Sequence, residues 1–467
     1  MERLILLRAG ERVKPAVPEE LLTYLSEECR IREWYARRMP MNRLSSTALF
    51  IAVTIAAASC SRSEPGSGAS NTPAMAPPSW TVTVTPGTGP AGANSSLPQL
   101  TTSGRGVILS WIEQSGQSTS TLKFAERTAS GWSAPMTISS ADNWFLSYAD
   151  PPNVLRRSDG TLVANWLVST NPLLEGSDLN ITYSKDDGKT WARPFLPHHD
   201  GTKGQHAFPS FFDLPDNGLG VVWVDARAQA ANPEDLEASY SVRYAAFDSA
   251  WKRTAEGEID AKTCECCSTS AAVTADGVIT AFRDRTGTDT EVRDIAVSRF
   301  ESGKWTVPAI VHNDNFETYS CPVNGPMLSA RDRQAVVSWF TVKDKVGQAW
   351  AAFSNDAGRT WGTPIRLDDA GSLGRVDVEL LGDGSAAATW VEFSDTRGQF
   401  RLRRIEPSGM KSAPINVAGV EGSSSSGFPR IALQGNDLVF AWTESTVKAD
   451  NSTTFQVQTA TAPLPTP

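Results

Sequence analysis

Histidine is scarce in this 467-residue chain, at four copies, so metal chemistry built on histidine clusters has little to draw on. Six cysteines are too few for a small scaffold that uses disulfides in place of a core. Positive charge is short as well: 43 Lys+Arg against 52 Asp+Glu leave a net charge of -9 and a pI near 5.2, whereas a phosphate-backbone partner needs clustered cations. Nucleic acid is not the expected partner. No convincing amphipathic helix lies between the apolar segments. What is abundant is tryptophan, with fifteen copies beside seven tyrosines and seven methionines. At 40% apolar and 20% charged residues the chain can bury one large core or two to three ordinary ones, and it is neither disordered nor collagenous.

The N-terminus reads as an address. Met41 opens a second start, with Arg43 as its positive end, an apolar run over 48–58 too short for a comfortable membrane span, and small residues before Cys60. Ala57-Ala58-Ser59-Cys60 resembles a lipobox, which implies acylation of Cys60; an ordinary secretory signal is the alternative. The expected layout is a gene-model extension over 1–40, a signal peptide over 41–59, a Ser/Gly/Pro-rich tether over 60–79 and one folded domain over 80–467. Removal of the first 59 residues leaves that exported part at -11. Periplasm or cell surface follows as the expected location, with a lipid anchor in the outer membrane as the only membrane contact.

A β-run ending in an aromatic recurs at Trp111, Trp166, Trp223, Phe282, Trp339, Trp390 and Trp442, often with an acid two residues later. The spacings lie between 51 and 59 residues. Each run follows a Gly, Asp or Asn turn, with a further apolar segment on either side, and a fourth short segment closes six of the seven units. The orphan strand at 80–85 is available to complete the seventh. These features predict an all-β propeller of four-stranded blades, seven by the count with six as the alternative, closed by an N-terminal strand. A pair of β-sandwiches would need a break in the period, and none occurs.

Ligands of such a ring bind on its axis, so the segments leading into each first strand are the candidate site. There the sequence places Asp150, His206, Asn324, Asp377 and Arg430 at one phase of successive units, with Tyr319 and Arg375 beside them. Cys264, Cys266, Cys267 and Cys321 fall at the same phase of the fourth and fifth units. Disulfides, with three possible connectivities, are the first expectation for them in an exported chain. Four thiolates holding copper or zinc, or a redox site, are the alternative. No other metal and no cofactor is expected.

Two turns, Ser184-Lys185-Asp186-Asp187-Gly188-Lys189-Thr190-Trp191 and Ser354-Asn355-Asp356-Ala357-Gly358-Arg359-Thr360-Trp361, share the pattern S-x-D-x-G-x-T-W. This is the Asp box, or BNR repeat, and here the chain resembles the sialidase (neuraminidase) superfamily of β-propellers. The resemblance makes Ser184, Asp186, Gly188, Trp191, Ser354, Asp356, Gly358 and Trp361 structural turn residues. It implies an exo-acting glycosidase for terminal acidic sugars, with Tyr319 as nucleophile, Asp150 as acid, and Arg375 and Arg430 on the substrate carboxylate. Arg283 or Arg293 would complete the arginine set, because guanidinium forks hold carboxylates bidentately. His206, Asn324, Asp377 and Arg283 are the further candidate binding residues. The family's Arg-Ile-Pro signature is missing, which leaves a noncatalytic envelope binder of glycan or protein as the alternative. The partner is then carbohydrate or glycoconjugate, and the chain is expected to be a monomer.

Overall fold

In the computed structural model the described residues are 80–116, 118–171, 175–232, 239–286, 291–394, 397–423, 426–448 and 452–465. Cys60 and the whole of the expected leader and tether therefore lie outside them. The chain forms seven antiparallel sheets in sequence order, the seven blades of a propeller. Their innermost strands are Ser95–Ser103, Val154–Arg156, His206–Leu214, Ser270–Thr274, Met327–Arg331, Gly374–Leu380 and Arg430–Gln434. Helix is almost absent: the described residues include a five-residue α-helical turn at Arg227–Ala231 and a 3-10 turn at Pro215–Asn217.

The seventh blade is completed from the N-terminus. Thr85–Gly87 pairs with Thr453–Pro463, in the register Thr85 to Thr461, Pro86 to Ala460 and Gly87 to Thr459. The paired segment begins where the expected strand ends. Residues before it pack instead of pairing: Trp80, with Val82 and Val84 at the same parity, joins the apolar cluster of the sixth and seventh blades.

Each repeated aromatic sits in the second strand of its blade. Trp111, Trp223, Trp339 and Trp390 are fully buried, because a second strand has a sheet neighbour on both edges and another blade across each face. The acid two residues on explains itself in three blades. Side chains at i and i+2 share one face, so the indole N–H of Trp111 donates to Glu113 at 2.9 Å, that of Trp223 to Asp225 at 2.7 Å and that of Trp390 to Glu392 at 3.0 Å. Trp339 finds Asp314 instead, at 2.6 Å.

The apolar core is not central. Seven clusters of buried residues occupy the seven seams between neighbouring blades, such as Ile279, Ala281, Val337 and Trp339 between the fourth and fifth. The two S-x-D-x-G-x-T-W turns brace such seams. Asp356 accepts from Ser354 Oγ, Thr360 Oγ1 and the N–H groups of Arg359 and Thr360, and Asp186 accepts from Ser184 Oγ and from Thr190 Oγ1 and N–H. Gly188 and Gly358 take positive φ there, and a Cβ on Gly358 would stand 2.8 Å from Ile279 of the preceding blade.

Hydrogen bonds from Thr190 and Ser184 hold the Asp186 carboxyl down to about 2; at Asp356, burial pushes up and the Thr360, Ser354 and Arg359 bonds win, again to about 2. Their contribution to stability is present above the ordinary aspartate range near ~4 and is lost as pH falls through about 2. In melting curves recorded from pH 5 to pH 2, the Asp186→Asn, Asp356→Asn double variant is expected to lose part of the acid-induced fall in Tm that the parent shows. An acid limb of unchanged slope would contradict this.

Candidate functional site

Seven first strands converge on the axis and enclose a cavity of about 720 Å³, within the roughly 300–1,000 Å³ common for small-molecule sites. No sheet packs across it, so axis-facing positions carry polar side chains: Thr101, Ser210, Ser270, Ser329, Asp150, Asp377, Glu379, Arg331 and Arg430 all line it.

Arg430 opens the seventh inner strand and is 4% exposed. Its Nη1 contacts the Met327 sulfur at 3.5 Å, its Nε has no hydrogen-bond partner, and no carboxylate lies within ion-pair distance of it among the described residues. The Phe428 ring lies 5.7 Å from it, and a buried guanidinium in this condition is incompletely compensated, since desolvation is offset fully only by a close counter-charge. Burial lowers its affinity for its own proton, and the more distant Asp377 and Asp150 restore part of it.

Three carboxyls share the cavity wall. Burial pushes Asp150 up to about 7, opposed by the Phe208 N–H, which donates to it at 2.7 Å, and by Arg430. Burial likewise raises Asp377 to about 6 against Arg430 and the N–H groups of Ile431 and Val378. Glu379 reaches about 8, through burial and then the adjacent Asp377 charge, with Ser329 and Arg331 opposing. Groups poised in this way near neutrality can give or take a proton at working pH. Sequence reasoning missed Glu379, although Asp377-x-Glu379 carries the i, i+2 signal that places both side chains on one strand face.

The remaining candidates lie elsewhere. Arg375, at a left-handed φ of +53°, donates to the carbonyls of Ser423 at 2.6 Å and Gly422 at 3.4 Å, and to Ser426 Oγ. Asn324 accepts the Arg375 backbone N–H at 2.7 Å through Oδ1 and donates through Nδ2 to Pro322 O at 2.9 Å. Arg283 is 1% exposed and gives its guanidinium hydrogens to the carbonyls of Asn324, Arg293 and Phe340 at 2.6–3.0 Å. Arg293 is ion-paired with Glu291 at 2.8 Å and Glu265 at 3.2 Å. Tyr319 is 52% exposed on the loop ahead of the fifth blade and is not among the residues lining the cavity. The structure thus brings Asp150, Asp377 and Arg430 together, and places Arg375, Asn324 and Arg283 in the wiring of the loops above them.

His206 belongs to a separate buried cluster. Its ring stacks on His198 at 3.5 Å and 4°, its Nδ1 faces Ser177 O at 2.9 Å and its Nε2 faces Asp200 at 3.0 Å. Burial works against a charge on His206, and Asp200 and Asp225 outweigh it and raise its pKa; burial and the neighbouring His206 lower His198 to about 3. Asp178, Asp200 and Asp225 bring enough donor atoms for a metal. Parallel stacked rings, however, direct their in-plane lone pairs side by side instead of toward one ion, and Arg227, 2.8 Å from Asp225 and 3.3 Å from Asp200, already supplies the positive charge. This is a closed ion network joining the second and third blades.

At the fourth and fifth lead-ins, Cys266 and Cys321 form a disulfide, while Cys264 and Cys267 are free and buried. Each of the three expected connectivities pairs all four cysteines; the structure forms one bridge, between neighbouring blades, and leaves the other two cysteines as thiols.

No known protein family matches the chain, and no curated protein does. Among solved structures it is similar to a protein of unknown function from Dyadobacter fermentans DSM 18053 (TM-score 0.47, 13% identity, 80% of this chain and 95% of that one). It is also similar to the polysaccharide lyase Uly1 (TM-score 0.46, 11% identity, 77% and 88%) and to the phage phi92 endosialidase (TM-score 0.45, 10% identity, 83% and 70%). At these identities the likeness concerns the fold alone.

Raised carboxyl pKa values favour the protonated folded state, so what Asp150, Asp377 and Glu379 contribute to stability is full below about 4 and is lost as pH rises through 6 to 8. Denaturant unfolding at a series of pH values is expected to show stability declining over that window. Asp150→Asn, which cannot titrate, should flatten the decline; an identical slope in parent and variant would refute the assignment.

Proposed function

We propose that the protein acts on carbohydrate, removing a terminal acidic sugar from a glycan whose end enters the axial cavity. The observation that carries this reading is Arg430, a buried guanidinium on the cavity wall with no carboxylate within ion-pair distance and with two acids of raised pKa, Asp150 and Asp377, near it. The sugar carboxylate supplies the missing counter-charge. Asp150, which keeps its proton to about 7, gives it to the departing glycosidic oxygen. Asp377, ionised by about 6, takes the proton of the water that adds to the anomeric carbon. Water is thus split across the glycosidic bond, and both carboxyls return to their starting states through solvent. Tyr319 takes no part in this scheme. The two S-x-D-x-G-x-T-W turns support the reading through the sialidase-superfamily resemblance, and the lipobox-like Cys60 supports an exported, anchored protein that meets glycans outside the cytoplasm.

A second reading, binding without turnover, is favoured by the guanidinia of Arg375 and Arg283, which are committed to backbone carbonyls instead of the cavity.

Reporter sialosides and an array of acidic glycans test both. Arg430→Gln is expected to weaken binding at least about tenfold, the loss of one charge-assisted contact. Asp150→Asn should keep binding and lose about 10²-fold or more in hydrolysis, as removal of a general acid does. Binding by the parent without release of sugar would select the second reading, and neither binding nor release would sink both.

A further inference from the structure

The four cysteines of the described residues meet at one point above the cavity, and they differ in access. Cys321 is exposed and Cys266 half-buried, whereas Cys264 and Cys267 are 0% and 2% exposed. Cys264 Sγ lies 2.8 Å from Cys267 Sγ and 3.6 Å from Cys266 Sγ, so one buried sulfur touches both its C-x-x-C partner and the near end of the surface disulfide. The surroundings treat the two buried sulfurs differently, favouring an anion at Cys267 and disfavouring one at Cys264. Arg293 Nη1 stands 3.4 Å from Cys264 Sγ, and the Arg283 charge and the Asn324 N–H act on Cys267. Burial and the neighbouring sulfur raise the Cys264 thiol, while at Cys267 the Cys264 S–H, Arg283 and Asn324 overcome burial and lower it, so the pair shares its proton unevenly.

We propose that Cys264, Cys266, Cys267 and Cys321 form a thiol–disulfide exchange site, in which a buried dithiol and a solvent-facing disulfide interconvert and Cys321 is the point of access for external thiols and disulfides. The exchange balances internally. Cys264 passes its proton to Cys267 and attacks Cys266 Sγ; the Cys266–Cys321 bond breaks, and Cys321 leaves as a thiolate that takes a proton from solvent. Cys267 then gives up its proton and attacks Cys264 Sγ, expelling Cys266, which is protonated in turn. One S–S bond is lost and one is gained, with no electron entering or leaving. The product carries a buried Cys264–Cys267 bridge and two thiols where the staple between the fourth and fifth blades had been. Cys267 runs directly into Ser268 and Thr269 on the cavity wall, so the exchange occurs at the edge of the axial site. The proposal does not depend on what the cavity binds.

Native trapping tests it. The full chain, purified without reductant, is incubated with excess N-ethylmaleimide under native conditions, quenched in acid and mapped by peptide mass spectrometry, which separates Cys29 and Cys60 from the cluster. Label is expected to accumulate on Cys321 and Cys266 while a Cys264–Cys267 bridge appears, without added oxidant, at a rate that rises with pH as the thiolate fraction grows. Cys264→Ser should leave Cys321 unlabelled over the same interval; if that variant does not fold, the parent time course decides alone. Two outcomes overturn the proposal: a Cys266–Cys321 bridge that persists while Cys264 and Cys267 take label only on denaturation, or elemental analysis showing stoichiometric metal on four reduced thiols.

Discussion

Among the described residues, apolar contact on a large scale is made between blades. Seven clusters fill seven seams, and each draws on two adjacent sheets, so a blade is stable only when it has a neighbour on both faces. That condition forces a closed ring, because an open array would leave one apolar face and one strand edge in water. Closure is made by three residues, Thr85–Gly87, on the outer edge of the last sheet, reinforced by Trp80 in the adjoining seam. A ring whose core lies in its seams has no core at its centre. The hollow axis, and with it every candidate site residue on the cavity wall, follows from where the apolar surface had to go.

A cavity walled by seven strands keeps water from surrounding a charge fully, and this separates the arginines by position. Arg283 ends a second strand inside a seam, where the next blade offers the carbonyl of Asn324 from its lead-in loop and that of Phe340 from its second strand. Arg375 lies where the lead-in loop of the last blade folds over it and presents the carbonyls of Gly422 and Ser423. Arg430 begins an inner strand whose own carbonyls are engaged in the ladder, so its guanidinium faces the cavity beside Met327. The same partial dehydration raises the proton affinity of Asp150, Asp377 and Glu379. One constraint therefore makes a cation in search of an anion and carboxyls able to donate, side by side.

The blade period was legible because a second strand sandwiched on both faces selects a large apolar residue, and because an acid at i+2 can satisfy an indole nitrogen. Both leave marks in the sequence, as at Trp223 and Asp225. The axial phase was legible for the same reason of regularity, and Asp150, Asp377 and Arg430, which share it, line the cavity. Partner choice was not legible. Arg283, Arg375 and Arg430 carry the same side chain, and only the backbone geometry around each decides whether carbonyls or the cavity meet it. The closing strand shows a related limit. The alternation of Trp80, Val82 and Val84 marks burial, and burial precedes the pairing at Thr85 instead of coinciding with it. Counting four histidines also hid His198 as the partner of His206, since a small total does not prevent two of them from stacking face to face.

Around the mouth the seams change character, because there the chain must turn from one blade into the next and cannot present a strand face. Asn324 does what apolar residues do lower down. Its carbonyl accepts two bonds from Arg283 of the fourth blade, its Oδ1 accepts the Arg375 N–H of the sixth, and its own N–H faces Cys267. Gly374 passes so close that a Cβ would stand 2.2 Å from Asn324 Oδ1, and its φ of +80° is one that glycine adopts without strain. The left-handed backbone at Gly374 and Arg375 sets where the inner strand Gly374–Leu380 begins, and hence which side chains, Asp377 and Glu379, point to the axis. Asn324 stands three residues from Cys321 along the chain. Three blades and the acidic wall of the cavity are therefore registered through one loop, so the polar mouth positions the chemistry that the apolar seams only make room for.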